Sequence, residues 1–178
     1  MNNDKRNVID KYKGAPIDDI VRDLDARAHT LEIAVDNVER DFNMGTIVRS
    51  ANAFGVRRVH IIGRRQWNKR GAMMTDKYLH LCYYASVDDF IAVIGDKTLI
   101  AIDNVQGSQP LSQTMLPEQS VLLFGAEHSG IRPELLERAQ AIAAIEQFGS
   151  TRSINVGVAA GIAMYEWLRR CKLNLLEK

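Results

Sequence analysis

Apolar and β-branched residues are concentrated in short runs along the chain. Between most of these runs, apolar residues recur every three or four positions. The runs predict buried strands and the intervening segments predict amphipathic helices. The predicted strands are residues 31–38, 56–62, 98–103, 120–124 and 141–148, and the helices are 46–54, 87–94 and 132–139. Because strands and helices alternate, we expect an α/β fold, a mostly parallel sheet covered by helices on both faces.

A further amphipathic helix is predicted near the start of the chain. Residues 16–28 begin with a proline, continue with acidic residues and follow helical spacing. The apolar positions of this segment are Ile17, Ile20, Val21 and Leu24. We expect it to belong to an amino-terminal extension, residues 1–30, that precedes one domain, residues 31–178.

Residues 149–168 begin as a polar loop and continue as an apolar helix. The helix contains several very small residues, Gly157, Ala159, Ala160, Gly161 and Ala163. Each glycine in a helix interior costs about 1 kcal/mol relative to alanine, so we expect that another backbone approaches this helix closely.

Ligands of open parallel sheets bind beyond the carboxyl ends of the strands. Candidate residues lie in the loops that follow the predicted strands. In the first loop, Asn43 is a suitable N-cap, Gly45 permits close approach, and Arg49 projects back towards the start of its helix. In the loop after the predicted strand 120–124, Gly125 and Gly130 lie on either side of Glu127 in the sequence.

The amino-acid composition limits the kinds of protein that this chain is expected to be. The chain has 178 residues, of which 46% are hydrophobic, enough for one domain with a full core. We find no apolar run of about 18 residues and no basic-then-apolar leader, so we expect neither a membrane span nor a signal peptide. The two cysteines and four histidines show no metal-ligand spacing. We therefore expect a reduced, cytoplasmic protein without a metal.

The net charge of +1 conceals an uneven distribution, because residues 57–75 contain no Asp or Glu. This basic segment contains Arg57, Arg58, Arg64, Arg65, Lys69 and Arg70.

Three motifs occur in order along the chain. The first is Asn43-x-Gly-x-x-x-Arg49, and the second is Gly125-Ala-Glu-x-x-Gly130. The third is Ile145-x-x-x-Gly149, followed by Ser153-Ile-Asn-Val. Together they resemble the motifs of the SpoU (TrmH-like) branch of the SPOUT RNA methyltransferases, over residues 31–169.

This resemblance implies a deep carboxyl-terminal trefoil knot and a homodimer. It also implies that the protein binds S-adenosylmethionine and methylates a ribose 2′-hydroxyl of RNA, with tRNA favoured over rRNA. The residues matching the family's cofactor contacts are Gly125, Gly130, Ile145, Ser153 and Ile154. The residues matching its catalytic positions are Asn43, Arg49, Glu127, Ser153 and Asn155.

Arg49 matches the family's catalytic arginine. A guanidinium keeps its proton in proteins, so we expect Arg49 to hold a phosphate and stabilise the developing alkoxide, oriented by Asn43 and Glu127. The alternative is a purely structural ion pair between Arg49 and Glu127.

The basic segment is expected to bind RNA, with Trp67 and Tyr78 as candidates for stacking on bases. The alternative is a solvated basic loop whose Trp67 packs on the domain.

Two residues depart from the family pattern, since Glu146 replaces the usual proline and Gly157 replaces a common serine. Glu146 is expected to alter the edge of the adenine pocket, and its charge is expected to weaken cofactor binding.

Two other functions are compatible with the resemblance. The chain could be a knotted, cofactor-binding protein that has lost catalysis and serves as an RNA-binding assembly factor. It could also be a methyltransferase whose methyl acceptor is a base nitrogen. The five catalytic residues disfavour the first function, and the Asn43–Arg49 motif disfavours the second.

Overall fold

The computed structural model describes residues 4–37, 43–127 and 129–173. Five helices and seven strands follow one another within these ranges. The helices are α1 (Ile17–Asp25), α2 (Asn43–Ala53), α3 (Val87–Ile94), α4 (Pro133–Leu136) and α5 (Val156–Cys171). The strands are β1 (Glu32–Asn37), β2 (Arg58–Gly63), β3 (His80–Tyr84), β4 (Thr98–Ile102), β5 (Gln109–Pro110), β6 (Ser120–Phe124) and β7 (Ala141–Ala144).

The seven strands form one sheet in the order β3-β2-β1-β6-β4-β7-β5. Every strand pairing in this sheet is parallel. The prediction of a mostly parallel α/β sheet is therefore confirmed. Two strands were missed: β3 has only partly buried or exposed positions, and β5 has only two residues, so neither gives a clear apolar run.

Helices cover both faces of the sheet, as predicted. Side chains alternate along a strand, so Ile33 and Leu122 pack in one core cluster, while Ala34 and Leu123 pack in the other. The first cluster includes residues of α2 and α5, and the second includes residues of α3 and α4. Because both faces are buried, the strands appear in the sequence as continuous apolar runs.

The amino-terminal extension packs on the rest of the chain through a small hydrophobic cluster. Tyr12 and Ile20 are buried there against Tyr78 of the 3₁₀ helix Thr75–Tyr78. The amphipathic helix predicted at residues 16–28 is present as α1, and it turns Ile20 inwards.

Helix α2 is described from Asn43, three residues before its predicted start, so Asn43 lies within the helix and is not its N-cap. A Cβ on Gly45 would lie 2.7 Å from the backbone nitrogen of Ala72. The close approach expected at Gly45 is therefore that of another backbone segment.

The small residues of α5 serve different purposes from those predicted. A Cβ on Gly157 would lie 3.1 Å from the side chain of Thr46, which explains close packing of α5 on α2 at that point. A Cβ on Gly161 would meet no atom within 4 Å. Close approach of a second backbone to Gly161 was therefore a wrong prediction for the described residues of this chain.

Candidate functional site

A cleft lies at the carboxyl ends of β4, β6 and β7, the edge of the parallel sheet at which ligand binding was expected. It has a volume of about 110 Å³, and we call it the cofactor cleft. All five residues predicted to bind the cofactor line it, namely Gly125, Gly130, Ile145, Ser153 and Ile154. Strand β7 ends at Ala144, before its predicted end, and the residues after it form part of the cleft wall.

The loop after β6 forms one wall of this cleft, through Gly125, Ala126, Glu127 and Gly130. Ala126 and Gly130 exchange two backbone hydrogen bonds of 3.1 and 3.0 Å. A Cβ on Gly125 would lie 2.2 Å from the carbonyl carbon of Gly130, closer than side chains can approach a backbone. Gly130 has a φ of +68°, a conformation that favours glycine. The two glycines of the second motif are thus required by the loop's own geometry.

Two carboxylates hold this loop in place. The Oδ2 atom of Asp103 accepts a hydrogen bond of 3.1 Å from the backbone of Ile131. Asp36, fully buried at the end of β1, accepts from both the backbone nitrogen and the guanidinium of Arg132. Hydrogen bonding to Asp36 raises the pKa of Arg132 above its usual value. The loop is therefore anchored on two neighbouring parts of the sheet.

Three side chains from the three motifs meet beside the cleft. Asn43 donates to Oε2 of Glu127 at 2.7 Å. Asn155 donates to Oδ1 of Asn43 at 2.8 Å and to Oε1 of Glu127 at 3.2 Å. The Oδ1 atom of Asn155 also accepts from the backbone nitrogens of Gly157 and Val158, so Asn155 caps α5. These bonds orient the exposed carboxylate of Glu127, and we call the three residues the polar triad.

Arg49 lies apart from this group. It is exposed on α2 and lines a different cleft, between α2 and the amino-terminal extension. Within the described ranges, Arg49 forms no ion pair with Glu127 or any other side chain. The structural pair between Arg49 and Glu127, considered above as an alternative, is absent from this part of the chain.

The basic segment is less uniform than its sequence suggests. Arg57 is buried and its Nε donates to Asp25 at 2.8 Å, so the prediction that it contacts RNA is wrong. Arg58 lies 3.5 Å from Glu32 and Lys69 lies 3.2 Å from Asp76, each as an ion pair with a largely exposed cation. The guanidinium of Arg65 lies over the ring of Tyr83. Arg64 and Arg70 are also exposed.

The two aromatic residues proposed to stack on bases are both engaged. Tyr78 is 4% exposed, which contradicts a stacking role. Trp67 is partly buried against the core, and its Nε1 donates to the hydroxyl of Tyr83 at 3.4 Å. The alternative prediction, that Trp67 packs on the domain, agrees with this position.

Glu146 does not line the cofactor cleft. It accepts hydrogen bonds from the backbone and hydroxyl of Ser112, which lower the pKa of Glu146. The weakening effect expected of its charge therefore has no basis in the geometry of the cleft.

Three polar residues of the cleft were not predicted from the sequence, namely Asp103, Asn104 and Gln147. The Oε1 atom of Gln147 is buried and has no hydrogen-bond partner in the described structure. An unsatisfied buried acceptor is costly, so it marks a position where a ligand donor would fit. Only the position of Asp103 at a strand end could have identified it from sequence.

Within the described ranges, no helix is long and apolar enough to cross a membrane. The same residues contain no group of three or more His, Cys, Asp or Glu that could hold a metal ion.

Comparison with known proteins gives consistent matches. The model of the SpoU rRNA Methylase family matches residues 30–165. An uncharacterized tRNA/rRNA methyltransferase of Mycolicibacterium gilvum is 30% identical, over 92% of this chain and 54% of that protein. The chain thus spans about half the length of that relative.

A shorter relative is matched over most of its length. The tRNA (guanosine(18)-2′-O)-methyltransferase of Thermus thermophilus is 25% identical, over 87% of this chain and 83% of that protein. Among solved structures, an AdoMet-bound rRNA methyltransferase from Sinorhizobium meliloti is similar with a TM-score of 0.71 and 27% identity. That match covers 79% of this chain and 56% of the other.

Proposed function

The chain belongs to the SpoU rRNA methylase family, and from this premise we propose that it is an S-adenosylmethionine-dependent RNA 2′-O-ribose methyltransferase. The observation that supports this most directly is the polar triad, in which one residue from each motif is hydrogen-bonded to the other two. The Thermus thermophilus relative methylates guanosine 18 of tRNA, as its name states, and on that similarity we favour tRNA over rRNA.

The cofactor cleft is the proposed site of S-adenosylmethionine. Backbone groups near Gly125, Ile145 and Ile154 line it, and Ser153 adds a hydroxyl. The unpartnered Oε1 of Gln147 fits a donor group of the cofactor. The volume is below the roughly 300 Å³ of typical ligand pockets, so part of the cofactor would face solvent. When bound, the cofactor supplies a sulfonium methyl group.

The chain's own residues then have to position the ribose. Holding the 2′-oxygen about 3–3.5 Å from the methyl carbon, in line with the breaking bond, can account for about 7–11 kcal/mol of the barrier. Asn43, Glu127 and Asn155 present a fixed polar surface beside the cleft for this purpose. We propose that Arg49 holds the phosphate next to the target ribose and stabilises the developing alkoxide.

A homodimer would reconcile the position of Arg49 with this role, because Arg49 does not line the cofactor cleft of its own chain. Helix α5 supports the proposal, since Val158, Ile162 and Tyr165 form an exposed apolar stripe at helical spacing. Exposed apolar patches often mark protein interfaces. We propose that a second copy covers this stripe and brings its Arg49 to the site.

The stripe gives a direct test of the dimer. Ile162 is 41% exposed, so Ile162→Arg should change the free energy of unfolding by only about 0.5 kcal/mol. Sedimentation velocity should show dimers for the original chain and monomers for the variant. If the original chain sediments as a monomer at all concentrations, the shared-site proposal fails.

Exposed residues of the basic segment are proposed to hold the RNA. We exclude the buried Arg57 and retain Arg58, Arg64, Arg65, Lys69 and Arg70.

We further propose that residues 31–178 form a methyltransferase domain with the family's trefoil knot, preceded by an extension of residues 1–30. A cytoplasmic location completes the proposal, since it gives access to tRNA.

The decisive experiment is tritium transfer from labelled S-adenosylmethionine to total tRNA and to rRNA, with nuclease digestion and nucleoside chromatography. Label in a 2′-O-methylnucleoside is the expected result. Label in a base-methylated nucleoside would replace this function with base-nitrogen methylation. Binding of S-adenosylmethionine without transfer would favour the RNA assembly factor.

An Arg49→Lys variant tests the role of the planar guanidinium. Because Arg49 does not line the cofactor cleft, affinity for S-adenosylmethionine should be unchanged while methyl transfer falls by at least about tenfold. Near-normal transfer by this variant would eliminate the proposed role of Arg49.

A further inference from the structure

A second cleft of about 510 Å³ lies between residues 7–12, α1, the carboxyl half of α2 and the 3₁₀ helix Thr75–Tyr78. We call it the amino-terminal cleft. It has no lining residue in common with the cofactor cleft. Of the residues used so far to explain methyl transfer, only Arg49 lines it.

The floor of the amino-terminal cleft is a buried apolar cluster, and hydrogen bonds hold the side chain of Tyr12 in place within it. Tyr12, Ile20 and Tyr78 form a buried cluster there. The hydroxyl of Tyr12 donates to the carboxylate of Asp23 at 2.5 Å and accepts from the guanidinium of Arg27.

The polar groups of the cleft favour an anion that also forms hydrogen bonds. Arg27 and Arg49 both line it, and the guanidinium of Arg27 is already paired with the carboxylate of Asp23 at 2.7 Å. Arg49 forms no ion pair within the described structure, so its charge is available to a ligand. Asn52 also lines the cleft, and its Oδ1 has no partner in the described residues. An asparagine amide offers both a donor and an acceptor, as a nucleobase edge does.

We propose that the amino-terminal cleft binds one nucleotide of the RNA substrate, next to the methylated one. Its base would lie beside the amide of Asn52, with its phosphate at Arg49. This inference rests on the proposed function, in which Arg49 holds the phosphate next to the target ribose. It makes the amino-terminal extension part of the RNA site and a determinant of which nucleotide is chosen.

The position of Arg49 on α2 is compatible with such an arrangement. Arg49 lines the amino-terminal cleft and does not line the cofactor cleft of its own chain. In the proposed dimer, Arg49 of one copy reaches the cofactor cleft of the other, so a phosphate held by Arg49 would link the target ribose to the nucleotide in the amino-terminal cleft beside that Arg49.

The test uses Ala53→Trp, which fills the cleft from an exposed position near the end of α2. Ala92→Trp is the matched control, because Ala92 is an exposed alanine of α3 and does not line the cleft. With total tRNA, Ala53→Trp should raise the KM for RNA at least about tenfold, without changing the affinity for S-adenosylmethionine. A KM within about twofold of the control would overturn the inference.

A substitute variant and a direct binding measurement keep the test valid if Ala53→Trp does not fold or if the chain shows no methyl transfer. If Ala53→Trp does not fold, as judged by its thermal midpoint, Asn52→Ala replaces it with the same expected rise in KM. If the original chain methylates neither tRNA nor rRNA, the proposed function fails, and binding is then measured directly.

Direct binding is followed by amide chemical shifts during titration with each ribonucleoside 5′-monophosphate and with inorganic phosphate. Shifts at Asn7, Asn52 and Thr75 with a nucleotide, and not with phosphate, support a nucleotide site. No shift at these residues, or the same shifts with phosphate alone, overturns it.

Discussion

Replacement of Gly125 by alanine should damage the cofactor cleft and destabilise the fold. The new Cβ would lie 2.2 Å from the carbonyl carbon and 2.3 Å from the carbonyl oxygen of Gly130, and 2.4 Å from the nitrogen of Ile131. These are backbone atoms, so the clash cannot be relieved by a rotation of a side chain. The loop must move away, and both hydrogen bonds between Ala126 and Gly130 are then lost.

The expected magnitude follows from these contacts. Overpacking costs about 1–3 kcal/mol, and each lost hydrogen bond costs about 0.5–1.5 kcal/mol. The free energy of unfolding should therefore fall by about 2–6 kcal/mol. For a chain of this size, the thermal midpoint should decrease by at least about 4 °C. Affinity for S-adenosylmethionine should fall at least about tenfold, because the cleft wall is displaced.

Circular dichroism measures the thermal midpoint, and isothermal titration calorimetry measures the affinity. Gly149→Ala is the control, since a Cβ on Gly149 meets no atom within 4 Å. Its effect on stability should remain within about 0.5 kcal/mol. A Gly125→Ala variant with an unchanged midpoint would refute the geometric argument, whatever the result for the cofactor.

Three further predictions concern charged residues. Burial alone would raise the pKa of Glu32, but hydrogen bonds from His60 and Lys97 outweigh it and lower the pKa below the ordinary 4.5. The stabilisation by Glu32 is thus present above pH 4.5 and is lost as the pH falls below it, so Glu32→Gln should flatten the acid limb of a urea-unfolding series against pH. Arg57→Ala should cost about 1.5–3 kcal/mol of stability, measured by urea unfolding, because its hydrogen bond to Asp25 is lost. By contrast, the Arg64→Ala/Arg65→Ala double variant should reduce the slope of log RNA affinity against log salt by about 1.4–1.8, and an unchanged slope in filter binding would remove both residues from the RNA site.

Much of the fold could be predicted because its determinants are local. Strands β1, β2, β4 and β6 are buried on both faces, so each appears as a short apolar run in the sequence. Helix α3 was predicted with its observed bounds, since Val87, Phe90 and Ile94 are spaced to bury one side. The strands β3 and β5 escaped prediction because pairing at the sheet edges requires little apolar pattern.

The candidate site was predictable only in part. The family resemblance that the three motifs carry indicated five of the residues that line the cofactor cleft and the three residues of the polar triad. The burial of Arg57 was not evident, because its partner Asp25 is 32 positions away, at the end of α1. The separation of Arg49 from the cofactor cleft was equally hidden, since it depends on which side of α2 each residue occupies once the helix is packed.

The sequence by itself determined the alternation of strands and helices, the glycines that the tight loop requires, and the family to which the chain belongs. These depend on hydrophobic periodicity and on neighbouring residues. The tertiary structure alone decided that Asp36 anchors Arg132 from 96 positions away, and that the amino-terminal extension forms a cleft with α2. Such contacts depend on how distant segments pack, and a local pattern contains no information about the partner that packing supplies.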